Sequence, residues 1–229
     1  MNKNIDCIHN IKERKNDKTT FIILCAKKSQ HRGQGNVSLK NVDTNRMLID
    51  VQIDTIKKNY KNGEIILVSG FEHDRLIEHI LKKDYKNIRV LENKTYKTSD
   101  ILEGWRMALN ISLNNDVYLI HGDRYFDDSC IISPKVTHII VHKKDKRNYD
   151  LGVLHEEEKF INISYGLPDV WSEIFFISKR DVKKTKRIIN EHKKRKIYTL
   201  ESFINQLSEE VKIHVIEKKP ESVILLKEL

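Results

Sequence analysis

The run Asp116-Val-Tyr-Leu-Ile-His-Gly-Asp123 carries large apolar residues into a glycine and a carboxylate. Such a run suits a buried strand, and Gly-Asp at its end suits the C-terminal edge of a parallel sheet. Open α/β sheets bind ligands at that edge, and a carboxylate there can hold Mg²⁺ against phosphates. Asp123 is therefore the leading metal-ligand candidate; the plainer alternative is a turn or helix-capping aspartate. Two other groupings offer competing chemistry. Asp127 and Asp128 can be read together with Asp123, but the spacing is longer than an Asp-X-Asp pair. His138 and His142 share one face of a regular strand, yet spacing supplies no third ligand, so packed or surface histidines are expected. No Ser-His-Asp or Cys-His order and no Walker-type phosphate loop stands out.

The elements that must position these groups follow an alternating rhythm. Thr19–Ala26 is a short apolar run suited to a central strand. From Asn45, a candidate cap, Met47, Leu48, Val51, Ile53 and Ile56 recur at mostly helical spacing. Glu64–Val68 is a second strand, Leu76–Leu81 marks a second helix, and Ile88–Leu91 a third strand. Ser99 or Asp100 caps a helix carrying Ile101, Leu102, Trp105, Ala108 and Leu109, which leads into the strand Val117–Ile120. This is the pattern of βαβ units and a parallel sheet. Beyond residue 123 the rhythm changes. Val136–His142 and Trp171–Ile177 read as strands, and Leu151–Leu154 with Lys159–Ile163 as a hairpin around residues 156–158. Helices are expected over Lys179–Lys196 and Leu200–Leu207, then short strands over Val211–Ile216 and Val223–Leu226. The expected fold is α/β: a mostly parallel central sheet with helices on both faces and a mixed second half. A polar tail, residues 1–18, precedes one domain over residues 19–229.

Composition narrows the function classes. The three cysteines, Cys7, Cys25 and Cys130, form no zinc spacing and suit a reducing compartment. Residues 1–20 are polar and charged, unlike a secretory leader, and no apolar run is long enough to span a membrane. A cytoplasmic protein is the expectation. Segment 179–196 holds ten Lys and Arg against Asp181 and Glu191, so most of the formal net charge of +9 is local. A solvated helix face is the plainer account; an acidic protein or nucleic-acid partner is the alternative. Aromatics do not interleave with these cations, which argues against a stacking platform for single strands.

Four segments resemble the nucleotidyltransferases of the GT-A, Rossmann-like fold, nearest in spacing to sugar-phosphate nucleotidylyltransferases and phosphocholine cytidylyltransferases. They are Phe21–Ala26, Leu91–Ser99, Tyr118–Phe126 and Tyr165–Ile174, in an order that spans about residues 20–229. The resemblance implies transfer of a nucleotidyl group from a nucleoside triphosphate to a small phosphorylated acceptor, with Mg²⁺ at Asp123. It places Lys27, Lys28 and Arg32 on phosphates. Ala26, Ser29, Asn93, Thr98, Ser99 and Gly122 would line the nucleotide, and Tyr165, Trp171 and Glu173 the acceptor. Aromatic residues there suit a quaternary ammonium, with core packing an equal account of Trp171. Two departures qualify it. Lys27-Lys-Ser-Gln-His-Arg32 lacks the glycines that let backbone amides approach phosphates. Aligning the C-terminal segment puts Lys227 where the family has a second metal-binding aspartate. The alternative is a catalytically degenerate relative that serves as a binding subunit through its basic 179–196 face.

Overall fold

The computed structural model describes residues 18–28, 35–113, 115–131, 135–143, 150–192 and 199–225. Strands β1 (Thr20–Leu24), β2 (Glu64–Ser69), β3 (Ile88–Glu92) and β4 (Val117–His121) alternate with helices α1 (Leu48–Asn59), α2 (His73–Lys83) and α3 (Ile101–Ile111). These strands pair in parallel in the order β3-β2-β1-β4. Their side chains explain why. In β1, Phe21 and Ile23 enter one core layer, with Ile49 and Ile53 of α1. Ile22 and Leu24 enter the opposite layer, with Leu102 and Trp105 of α3. A strand covered on both faces needs apolar residues at every position, which is the continuous run seen in the sequence.

The second half departs from a mostly parallel sheet. It comprises β5 (Arg124–Phe126), β6 (His138–Lys143), β7 (Leu151–Glu156), β8 (Lys159–Tyr165), β9 (Asp169–Ile177), β10 (His214–Lys218) and β11 (Val223–Leu225). Helices α4 (Lys179–His192) and α5 (Leu200–Glu210) lie between β9 and β10 in the chain. Strand β9 runs antiparallel between β4 and β6, and the large sheet continues β6-β10-β8-β7. Only β6 and β10 are parallel there. The connections dictate this, because β7, β8 and β9 follow one another through turns too short for a parallel crossover. The sheet is therefore mixed, parallel on one side of β4 and chiefly antiparallel on the other.

Helix α1 begins at Leu48, later than the spacing suggested. Asn45 is not its cap: Asp43 closes a turn onto the backbone N–H of Asn45 and Arg46, and Asp50 accepts from the Met47 N–H at 3.0 Å. Of the two candidate caps for α3, Asp100 is the one used, accepting from Leu102 N–H at 3.0 Å. No helix among the described residues is long and apolar enough to cross a membrane.

Candidate active site

The C-terminal ends of β1 and β4 lie side by side, with Leu24 opposite His121. Beyond them the turn from His121 to Arg124 is held from three directions. The Gly122 N–H donates to the Leu24 carbonyl at 3.0 Å, and Ser38 Oγ donates to the Gly122 carbonyl at 2.9 Å. Buried Gln52 of α1 spans the turn, its Nε2 donating to the carbonyls of His121 at 3.2 Å and Arg124 at 2.7 Å. Glycine at 122 is a steric requirement: a Cβ would lie 2.5 Å from the Leu24 carbonyl oxygen and 2.6 Å from Ser38 Oγ. Asn36, also buried, ties the neighbouring segment down through Nδ2 bonds of 2.9 Å to the carbonyls of Cys25 and Phe71.

This scaffold presents Asp123 with an unusual balance. Its side chain is 39% exposed, yet Oδ1 is buried and has no hydrogen-bond partner. A buried oxygen left unpaired is costly. The Arg124 Nε lies 3.5 Å away, too far for a hydrogen bond. Arg124 is instead committed to Glu173, with Nε 2.9 Å from Oε2 and Nη2 2.7 Å from Oε1. His121 Nδ1 reaches the same Oε2 at 2.6 Å. Burial alone would raise the Glu173 pKa, but the charges and hydrogen bonds of His121 and Arg124 hold it well below the carboxylate range. Burial disfavours the charged guanidinium, but Glu173 and then Asp123 outweigh that and raise the Arg124 pKa.

Glu173 arrives there through a backbone irregularity. The β6–β9 register shifts between the pairs Ile139–Phe175 and Val141–Trp171, and Glu173 takes a left-handed φ of 58°. Bulges of this kind re-aim a side chain. Beneath the site, the ring of His121 meets Trp105 and Trp171 edge-on, with centroids 5.9 and 5.8 Å apart. Trp171 is 1% exposed, so it bears on the site through His121 and offers no open face to an acceptor. Tyr165 is 61% exposed at the end of β8. Its hydroxyl pKa is raised by burial and by the negative charges of Glu201, Asp100 and Glu173.

The nucleotide-side residues lie across the sheet. Asn93 follows β3, three strand spacings or about 14 Å from β4. Its side chain is spent on a turn: Nδ2 donates to Ser99 Oγ at 3.1 Å, and Oδ1 accepts from Thr95 N–H at 3.0 Å. Thr98 is exposed and Ser99 half-buried in that turn. Ala26, Lys27 and Lys28 follow β1 directly. The two lysines are exposed, and Lys28 Nζ stands 5.4 Å from the Phe71 ring centroid. Ser29, Arg32 and Lys227 lie outside the described residues. Buried Cys25 is a packed thiol, which burial pushes up to about 12.

The competing groupings are spent elsewhere. Asp127 caps a single turn, accepting from Ser129 N–H at 2.8 Å, and Asp128 pairs with Lys58. Both line a separate cavity of about 720 Å³ with Asp43, Arg46, Asp54 and Tyr125. His138 is fully buried, while His142 bonds Ser172 Oγ at 2.9 Å. Among the described residues, only His121, Asp123 and Glu173 form a group able to share one ion, their donor atoms lying within 4.8 Å of one another. The donor chemistry fits a cation at Asp123: Oδ1 is a hard oxygen that makes no hydrogen bond and has only the 3.5 Å approach of Arg124 Nε. Glu173 is not available in this arrangement. Sequence reasoning assigned no role to His121, Arg124 or Gln52. The contiguous His121-Gly-Asp-Arg124 was the one local sign of the first two.

Over about nine-tenths of its length this chain is similar in structure to nucleotidyltransferases. By sequence, no family model and no curated protein matches it. The CTP:phosphocholine cytidylyltransferase of Streptococcus pneumoniae superposes with a TM-score of 0.75 at 17% identity, covering 90% of this chain and 92% of that one. The nucleoside-diphosphate-sugar pyrophosphorylase of Vibrio cholerae RC9 gives 0.72 at 13%, covering 90% and 95%. The inositol-1-phosphate CTP transferase of T. maritima gives 0.69 at 16%, covering 90% and 86%.

Proposed function

We propose that this protein transfers a nucleotidyl group from a nucleoside triphosphate to a small phosphorylated acceptor. The observation that carries the reading is Asp123 Oδ1 just beyond β4, buried without a hydrogen bond and with Arg124 Nε 3.5 Å away. A bound ion or ligand is one account of such an oxygen. Two of the similar structures are named for CTP, which makes CTP the first nucleotide to try.

In the reaction an acceptor phosphate oxygen attacks the α-phosphorus, the bond to the bridging oxygen breaks, and pyrophosphate leaves with the electron pair. Mg²⁺ held at Asp123 would offset negative charge on the phosphates. The chain's own residues align two anions and hold them together. Lys27 and Lys28, on the segment after β1, supply positive charge toward the triphosphate. The turn after Asn93 offers Thr98 and Ser99 to the base. Gly122 lets the β1 and β4 ends approach, so that Asp123 faces the phosphates without an intervening side chain.

The acceptor side favours phosphocholine over a sugar phosphate. Tyr165 is an exposed aromatic face within reach of the charges of Asp100, Glu173 and Glu201. An aromatic in a negative field suits a quaternary ammonium. In the docking alternative at 179–196, Lys193, Lys194, Arg195 and Lys196 lie outside the described residues, and three of the others are engaged within the fold. Lys184 Nζ donates to the Glu210 carbonyl at 2.9 Å and Lys186 Nζ to the Ser112 carbonyl at 2.7 Å. Arg187 pairs with Glu191 and Glu210. These cations serve helix ends and neighbours.

Calorimetry with each of the common nucleoside triphosphates tests the reading, with and without Mg²⁺. Binding should require Mg²⁺ and vanish in Asp123→Asn. Pyrophosphate should appear with CTP once phosphocholine is added. Absence of binding for every triphosphate at millimolar concentration overturns the proposal.

A further inference from the structure

Two carboxylates and a histidine whose donor atoms lie within 4.8 Å of one another have the ligand types and spacing to hold a metal ion. Here a guanidinium has entered that group. Arg124 approaches Glu173 in a bidentate fork, Nε to Oε2 at 2.9 Å and Nη2 to Oε1 at 2.7 Å. With His121 Nδ1 on Oε2 at 2.6 Å, both oxygens of Glu173 are engaged by cationic or N–H donors. Bidentate arginine–carboxylate pairs are among the strongest hydrogen-bonded contacts in proteins. This one is largely shielded, the two side chains being 16% and 20% exposed. The arrangement is also enforced by the backbone, since Glu173 holds a left-handed φ of 58° that L side chains rarely adopt.

We propose that Arg124 is the fixed cation of this site. It holds Glu173 away from divalent ions, so that Asp123 is the one carboxylate open to metal. A divalent ion then enters only together with a phosphate ligand.

The charge balance supports this. Asp123 and Glu173 bring two negative charges; Arg124, joined by His121 when it is protonated, returns positive charge, with Arg124 Nε 3.5 Å from Asp123 Oδ1. A bare divalent ion would face one open carboxylate and a guanidinium at close range. Mg²⁺ gives up its water reluctantly and is commonly held by few protein ligands plus substrate phosphates. An ion arriving on a triphosphate brings its other oxygens with it. The part concerning phosphate rests on the proposed nucleotidyl transfer; the exclusion of metal from Glu173 does not.

Mn²⁺ titration of the nucleotide-free protein, followed by electron paramagnetic resonance of the free ion, is the test. The wild type should take up no Mn²⁺ below about 1 mM, and Arg124→Met should bind it at least about tenfold more tightly, through two carboxylates. Adding Glu173→Gln to Arg124→Met should remove that gain. Micromolar Mn²⁺ uptake by the nucleotide-free wild type overturns the proposal, whether or not the variants fold. So does a folded Arg124→Met protein, checked by circular dichroism, that gains nothing. CTP added to the wild type should then bring Mn²⁺ in. If no nucleotide binds while Arg124→Met still gains Mn²⁺, the functional reading falls and the exclusion of metal from Glu173 stands.

Discussion

His138 should make the fold sensitive to acid well above the range where carboxylates titrate. The residue is fully buried on β6, its ring stacked on Phe176 at 4.9 Å and edge-on to Tyr118 at 6.3 Å. Nδ1 lies 3.1 Å from the Val136 carbonyl, so it carries the proton, and Nε2 is buried without a partner. Protonating Nε2 would bury an unpaired cation. Burial, opposed only by the Val136 bond and assisted by Lys218 and His214, lowers the pKa from 6.5 to about 4. The unfolded chain therefore binds the proton more readily. Stability from the neutral imidazole is complete above pH 6.5 and is lost as pH falls toward about 4. Linkage between those two values gives a loss of about 2 kcal/mol from pH 7 to pH 5. Urea denaturation of wild type and His138→Phe at intervals over that range isolates the effect. Other titrating groups contribute to both proteins and cancel in the difference. The wild type should lose about 2 kcal/mol relative to the variant. A difference that stays constant within about 0.5 kcal/mol, several-fold below that expectation, would rule out a buried neutral His138 as the source of acid sensitivity.

Three further perturbations follow from single contacts. Gly122→Ala drives a Cβ to 2.5 Å from the Leu24 carbonyl oxygen, so one of the two strand ends must shift. A loss of about 1–3 kcal/mol in chemical denaturation is expected, with weakened thermal stabilisation by CTP. Glu173→Gly relieves a left-handed φ, a gain of about 1 kcal/mol. It also strips a shielded guanidinium of its partner, a loss of about 3–5 kcal/mol. The single variant should therefore melt earlier than wild type, and Arg124→Met added to it should recover part of the loss. Asp50 is buried and accepts from His79 Nε2 at 2.7 Å, Tyr85 Oη at 2.9 Å and the Met47 N–H. Burial pushes its pKa up, but these bonds prevail and lower it. The stability it adds is present above the ordinary carboxylate pKa and disappears as pH falls through the folded value. Asp50→Asn should cost about 1–3 kcal/mol at pH 7, and the gap to wild type should narrow in acid.

What could be read from the sequence was whatever local periodicity encodes. Strand β1 is apolar at successive positions because both faces are covered, and that leaves a continuous run. Asp100 precedes an apolar helical pattern and caps it. Strand β5 is different: three residues, Arg124–Phe126, whose partner β11 lies near the other end of the described chain. Nothing local marks a strand that short. The antiparallel placement of β9 likewise follows from which strands pair, and no single strand's pattern reveals that. The helix start shows a subtler limit. Asn45 looks like a cap, but Asp43 had already claimed the backbone there.

The candidate site divides along the same line. Asp123 was legible because a strand ending in Gly-Asp is a local signal. Arg124 sits beside it in the chain, but its role depends on Glu173, which comes from β9 through a bulge. Glu173 breaks a local rule, a charged residue in a conformation that favours glycine. Local rules are broken where a function requires it. Without the bulge, the regular alternation of β9 would be unbroken and the carboxylate re-aimed away from the Arg124 fork. The guanidinium would then face Asp123 alone and could neutralise it. The bulge therefore draws Arg124 toward Glu173 and leaves Asp123 Oδ1 without a hydrogen bond. On this argument Glu173 keeps the Asp123 carboxylate out of the guanidinium fork by occupying the arginine.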